Sequence, residues 1–333
     1  MTGVQTCALP ISLVEFEVAH GITVEYPNAA IADDESFFAS IRQALEDDVP
    51  TGWDLIVVSD WLAARLVEAG WAEELDSGHV PTALVNVRDE LRDLPWDPEM
   101  RFHFPWQSVA TGIGYNRVST GRDLTSVADL FEPALAGKVT LLRDLRATLP
   151  LVHLALQAQG KASDRAPDAM TIEDAQAAID YLRPFVESGH IRAFTGSEYL
   201  TDLGSGDTWA ALVQSGDFAS SASPDDVFVY PGEGWLLTSH SLVIPKGAER
   251  QHAAELMIDW VYDVDRAARL ANWTYHISPV TGVAEAIAAL DPRAAGNPLL
   301  FPPPEVLGRQ HSPPVFSESD ETAVKASFAA LTG

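Results

Sequence analysis

Carboxylates and aromatic rings, rather than nucleophiles, carry what chemistry this sequence offers. Nine histidines and one cysteine, Cys7, are spread over 333 residues. No histidine falls in an HExxH motif or another paired metal-ligand spacing. A single cysteine makes no intrachain disulfide, Cys-based zinc site or redox pair. The chain has no GxSxG elbow, Walker A loop or GxGxxG after a strand. The nearest pattern, Gly112-Ile113-Gly114, runs into Tyr115-Asn116 and a turn rather than a helix. The pairs Asp33-Asp34, Asp47-Asp48 and Asp225-Asp226 lie in polar, loop-like stretches where solvation explains them. No catalytic set, metal set or cofactor site emerges.

The aromatic residues say more. Of nine tryptophans, several fall where a strand ends or a turn begins: Trp61 after DLIVVSD, Trp106 beside Gln107 in FPWQS, Trp235 in PGEGWLL, Trp273 before TYHISPV. Ligands of open α/β sheets bind outside the carboxyl ends of the strands. That rule alone puts Ser59, Asp60 and Trp61 in a ligand-facing position. A carboxylate beside an aromatic face suits an ammonium group. It offers a charge-assisted hydrogen bond and a cation–π contact of roughly 0.5–2 kcal/mol. The plainer readings are that Asp60 caps the following helix and Trp61 belongs to the core.

The elements that must position these residues alternate between helix and short apolar strand, which indicates an α/β fold. Residues 21–26 (GITVEY) read as a strand, followed by a helix over DDESFFASIRQAL with Asp33 or Asp34 at its N-cap. Residues 54–58 (DLIVV) read as a central parallel strand buried on both faces, leading into a helix capped by Ser59 or Asp60 and ending at Gly70. Thr171 and Asp174 form a capping box ahead of Ile172, Ala175, Ile179, Leu182 and Val186, an amphipathic helix that Pro184 should kink or end early. Helices are also expected over 252–263, 265–273 and 321–331. The proline-rich stretch 297–314 reads as an extended wrap.

Composition narrows the partners. Lys and Arg total 21 against 48 Asp and Glu, a formal net charge of −27. The basic surface that neutralises nucleic-acid phosphates or docks on anionic lipid is missing. A neutral or cationic ligand is compatible. With 47% hydrophobic residues the chain can build a core, and no apolar run approaches the ~18 residues of a membrane span. The first twelve residues, MTGVQTCALPIS, have no positive n-region and resemble translated sequencing-adapter read-through. On this reading residues 1–12 are non-native, the native chain begins near Leu13, and a signal peptide and first strand are missing.

The blocks WDLIVVSDWLAARLVEAGWAEELD, FPWQSVATGIGYN, TSVADLFEPALAGKVTLLRD, FTGSEYLTDLGSGDTWA, SLVIPKGAERQHAAELMIDWVYD and YHISPVTGV, in this order, resemble the extracytoplasmic solute-binding proteins of spermidine/putrescine ABC importers, particularly an actinobacterial branch. The resemblance covers nearly the whole chain from Leu13. It implies a type II periplasmic-binding-protein fold with two α/β lobes joined by crossing hinge strands. Lobe 1 is expected over 13–117 plus 240–284, and lobe 2 over 118–239 plus 285–333. It also implies capture without chemistry: a polyamine is held between the lobes, the closed state is read by a membrane permease, and an ATPase drives import. The protein would lie outside the cytoplasm, lipoprotein-anchored in its native form.

Residue by residue, the resemblance places Ser59 and Trp61 in the cleft, on either side of Asp60; Trp61 and Trp106 would wall the ligand, with Gln107 a further candidate contact. Asp144 matches an amine-binding acid after the KVTLL strand, while a second acid three residues on is Ala147 here. A tryptophan before Ser215-Gly216-Asp217 is replaced by Gln214, leaving Gln214 and Asp217 as the contacts of that turn. The W-x-D before the SLVIP strand is replaced by Thr238-Ser239-His240, and an aromatic position of the final turn is His276, beside Tyr275. Asp60, Asp217 or Glu233 would have to supply the missing charge. Otherwise the solute is of another class, such as an amino-acid derivative or organic acid.

Overall fold

The computed structural model describes residues 5–26, 34–92, 94–221 and 223–333, apart from the side chains of 5–12, 220 and 221. Asp33 of the expected N-cap pair lies outside the described residues. The chain divides into two units, Met1–Ser108 with Ser239–Phe301, and Val109–Thr238 with Pro302–Gly333. Eight strands are described: β1 (Ile56–Ser59), β2 (His103–Asn116), β3 (Val139–Leu142), β4 (Ile191–Thr195), β5 (Ala210–Gln214), β6 (Asp226–Val229), β7 (Trp235–Val243) and β8 (Gln310–His311). The chain leaves the first unit within β2 and re-enters it within β7. These divisions differ from the 117/118 and 284/285 boundaries of the sequence reading. Residues 285–301 stay with the first unit because helix Val283–Leu290 packs on helix Val264–Thr274.

In the first unit, helix Asp34–Glu46 buries Phe37, Phe38, Ile41 and Leu45 along one face. They pack on Ile56 and Val58 of β1, Leu62, Ala63 and Leu66 of helix Asp60–Glu68, and Val243 of β7. β1 is not the parallel strand expected. It pairs antiparallel with β7, from Ile56↔Val243 to Ser59↔His240, and its residues alternate between buried and half-buried. Only Ile56 and Val58 face the core, so the continuous apolar run overstates its burial. The strand expected at 21–26 is absent: Gly21, at φ 67°, terminates helix Gln5–His20, and residues 22–26 are irregular. The Val24 N–H bonds the Glu17 carboxylate at 2.7 Å instead of a neighbouring strand.

In the second unit, β5 pairs antiparallel with β2 and parallel with β3, β4 lies parallel to β3, and β6 pairs antiparallel with β2. Gly112 and Gly114 lie inside β2 and serve close approach. A Cβ at Gly112 would strike the Val229 carbonyl of β6, and one at Gly114 would lie 2.8 Å from Phe218 and Val213. Helix Ile172–Glu187 opens on the expected capping box and continues through Pro184, whose missing N–H falls in the last turn. Where an extended tail was expected, residues 304–307 form a short helix and β8 pairs with β7. Trp235 is core, its indole N–H donating to the Val306 carbonyl at 2.8 Å.

Helix Glu318–Thr332 packs on helix Ile172–Glu187 and carries Glu321, which ion-pairs with the buried Arg146 in the first turn of helix Leu145–Ala158. Both side chains are at most 9% exposed. Removing one member of such a pair strands the other charge, at a cost of about 3–5 kcal/mol. Glu321→Ala should lower unfolding stability by that order in urea titration. Lys325→Ala, whose lysine is one-third exposed where it meets the same carboxylate, should cost under about 1 kcal/mol.

Candidate functional site

Polar side chains gather at the end of β1 in the first unit. The Ser59 N–H donates to Asp34 Oδ2 at 2.9 Å, and Ser59 lies opposite His240 in the ladder. Ser59 is the N-cap residue of helix Asp60–Glu68, yet its hydroxyl makes no capping bond. Asp60 Oδ1 accepts the Ser241 hydroxyl at 2.7 Å. Burial pushes the Asp60 carboxyl up, opposed by that hydrogen bond and by the nearness of His103 and His240. Asp60 makes no ion pair among the described residues.

Two imidazoles complete the group. Burial pushes His240 down against the pull of Asp34 and Asp60. His276 is pushed down to about 4, first by burial and then by His240. The Nδ1 atoms of both rings are buried without a hydrogen-bond partner among the described residues. Reciprocal backbone bonds between Ser108 and Ile277, at 2.9 and 2.8 Å, hold the His276 segment on β2. His103 is different: its Nδ1 lies 2.6 Å from Asp97 Oδ2, and Asp97 also accepts the N–H groups of Arg101 and Phe102. The group therefore sets carboxyl oxygens beside imidazoles that burial holds in the uncharged form, acceptors suited to a cation rich in N–H donors.

The other predicted residues of this unit are more committed to the protein itself. Trp61 is half-buried, with the Arg65 guanidinium 5.2 Å from its ring centre. Trp106 and Gln107 are buried and line a cavity of about 10 Å³ with Tyr262, Leu270 and Pro279. The Gln107 amide donates to Thr274 Oγ1 at 2.8 Å.

In the second unit, Asp144 is exposed and caps helix Leu145–Ala158, accepting the Arg146 N–H at 2.9 Å. Gln214 ends β5, its N–H donating to Tyr199 Oη at 3.1 Å. Asp217 is buried and accepts the Tyr199 hydroxyl at 2.9 Å; burial raises its carboxyl and this bond opposes the rise. Glu233 accepts Ser126 Oγ–H at 3.0 Å and the Val127 N–H at 2.7 Å, so it braces a turn. Sequence reasoning missed His103, Ser241 and Tyr199. Period-2 alternation along SHSLV puts Ser239 and Ser241 on one face and was available as a signal for Ser241.

Because His276 binds its proton more weakly folded than unfolded, the unfolded chain holds more protons as pH falls from about 6.5 towards 4. Stability is lost across that window and is fully present above it. Replacing His276 by Gln should flatten the decline between pH 7 and pH 4.5 in urea titrations; an unchanged slope would assign the decline to other groups.

The sequence model for bacterial extracellular solute-binding proteins matches residues 13–300. The chain is 26% identical over 300 residues to spermidine/putrescine-binding periplasmic protein 1 of Haemophilus influenzae, covering 90% of this chain and 79% of that protein. It is 24% identical over 302 residues to the spermidine/putrescine-binding periplasmic protein of Escherichia coli, covering 90% and 81%. Its structure superposes with a TM-score of 0.80 at 18% identity on the spermidine/putrescine ABC transporter substrate-binding protein PotD of Streptococcus pneumoniae, over 97% of this chain and 94% of that one. The Atu4243-GABA receptor gives 0.75 at 18% identity, over 99% and 95%. These likenesses establish the type II periplasmic-binding-protein fold, and the family match shows that the chain belongs to the bacterial extracellular solute-binding proteins.

Proposed function

We propose that this protein is the solute receptor of an ABC importer, that its solute is a polyamine of the putrescine or spermidine type, and that it hands the solute to a membrane permease driven by an ATPase. The observation that carries this reading is the group at the end of β1. There Asp60 and Asp34 both act on His240, His276 is near His240, and Asp60 has no ion pair with a lysine or arginine among the described residues. A primary ammonium has three N–H donors. A carboxylate and neutral imidazole nitrogens accept them, and the arriving cation restores the charged form of Asp60 that burial disfavours. Asp144, exposed and without an ion pair among the described residues, is a candidate for a second amine. Relatives named for spermidine and putrescine support the same class.

The reaction cycle on this reading is binding and release, with no bond made or broken. Location outside the cytoplasm follows the periplasmic relatives, and no helix among the described residues is long and apolar enough to cross a membrane. Anchoring through a lipidated cysteine of a native leader is part of the proposal. Radiolabelled palmitate incorporation in the source organism would test it.

One alternative has a specific observation behind it. Trp61 is already stacked by Arg65, and Ala147 and Gln214 replace an acid and a tryptophan expected from the resemblance. A same-fold carrier for a zwitterionic or anionic solute would fit that depleted set. Calorimetry with putrescine, spermidine and a panel of amino-acid derivatives and organic acids separates the two. The polyamine reading expects saturable binding of a diamine or triamine. It also expects Asp60→Asn to weaken that binding about 10–100-fold, the value of a charge-assisted hydrogen bond. Absence of polyamine binding below millimolar, or preference for an anion, would sink it.

A further inference from the structure

We propose that His79, His252 and Glu255 form a binding site for one first-row divalent transition cation, of which zinc is the natural probe. The three belong to the first unit, apart from the residues assigned to the solute. His252 and Glu255 are three residues apart on helix Gln251–Val261 and so share a face. His79 closes the turn after Asp76, its N–H donating to the Asp76 carbonyl at 2.9 Å. One ligand atom from each residue converges within 4.8 Å. His79 Nδ1 lies 2.6 Å from Glu255 Oε2 and 3.2 Å from His252 Nδ1, and His252 Nδ1 is 4.0 Å from that oxygen. Ligand atoms of a tetrahedral zinc, at ~2.0–2.1 Å from the metal, stand about 3.4 Å apart. The observed triangle straddles that value.

A proton on His79 Nδ1 can serve Glu255 Oε2 while His252 Nδ1 turns its lone pair to the same N–H; without that proton, His79 Nδ1 and the carboxylate oxygen face each other lone pair to lone pair at 2.6 Å. A cation in the centre takes one lone pair from each atom. The surroundings also hold the ligands in place. Glu255 is 1% exposed, and its other oxygen accepts the Asp76 N–H at 2.9 Å and the Gln251 amide at 3.0 Å, which turns Oε2 towards the histidines. His79 Nε2 lies 3.9 Å from Asp76 Oδ2, a nearby carboxylate beyond direct hydrogen-bond reach. Asp259 of the same helix accepts the N–H groups of Thr82 and Ala83 at 2.6 and 3.0 Å, fixing the chain just after His79. Two imidazoles and one carboxylate favour zinc, nickel or copper over calcium or magnesium, which take oxygen ligands. With three protein ligands and two half-exposed rings, at least one position is left to water. The bound ion would pin the 76–79 turn to helix Gln251–Val261.

The test uses the full chain, free of any histidine tag and stripped with a chelator, titrated with zinc alone in a calorimeter. The expected result is one zinc per chain, at least tenfold weaker binding in His252→Ala and in Glu255→Gln, and a zinc-dependent rise in thermal midpoint that His252→Ala abolishes. His252 is exposed, so its variant should keep the metal-free midpoint of the wild type. Cobalt should give visible d–d bands in the wild type that are lost in the same variant. The proposal fails if zinc does not bind saturably, or if His252→Ala and Glu255→Gln both bind it with unchanged stoichiometry and affinity.

Discussion

The polar group at the end of β1 depends on one pairing, the short antiparallel ladder in which Ser59 of β1 faces His240 of β7. Side chains alternate along a strand, so a slip of one residue would turn His240 to the opposite face and separate it from Asp60. The register is fixed from beneath by apolar packing: Ile56 and Val58 are 4% and 1% exposed in the core that helix Asp34–Glu46 covers. It is fixed from above by two polar ties, Asp34 to the Ser59 N–H and Ser241 to Asp60. Hydrophobic burial thus sets the position of the very groups that carry charge.

What the ladder leaves around Asp60 is informative by contrast with other carboxylates of the chain. Asp97 is matched by His103 and three backbone N–H groups, and Glu321 by Arg146 and Lys325. Asp60 accepts the Ser241 hydroxyl, lies near His103 and His240, and makes no ion pair with a lysine or arginine among the described residues. An arginine there would stabilise the unliganded protein and occupy the acceptors a cationic solute needs. Burial raises the Asp60 carboxyl, and on the proposed reading a bound cation would favour its ionised form. The net charge of −27 adds little to this balance, since most carboxylates are solvated and screened within about 8–10 Å.

Asp60 was legible because a strand end followed at once by a helix start is a local pattern, readable from DLIVVSDWLAA alone. The capping box at Thr171 and Asp174 was legible for the same reason. Burial and pairing across long separations were not. Nothing near Gln214 or Asp217 announces that the Tyr199 hydroxyl bonds both. The sequence puts Trp106 of FPWQS where a strand ends or a turn begins, yet Trp106 and Gln107 lie inside the fourteen residues of β2 and are buried. The strand expected at 21–26 had the right residues but no neighbouring strand, and alternation cannot supply a partner. His79 and His252 are 173 positions apart, so no spacing rule could pair them.

The same contrast bears on how a solute would be recognised. Aromatic stacking and carboxylate contact are separable contributions, and the chain has spent part of the first on itself. Arg65 lies over Trp61 at 5.2 Å, and the same guanidinium is 5.7 Å from Phe38, so the ring's cation–π capacity is partly met within the unit. Gln214 supplies an amide where a ring is expected from the resemblance, and Asp217 is held by Tyr199. On the proposed polyamine reading, recognition would shift from rings towards hydrogen-bond acceptors whose protonation sets their strength. Charge-assisted hydrogen bonds are worth about 1.5–3 kcal/mol where a cation–π contact gives roughly 0.5–2. Affinity for an amine would then depend on the ionisation of Asp60 and on His240 and His276 remaining uncharged.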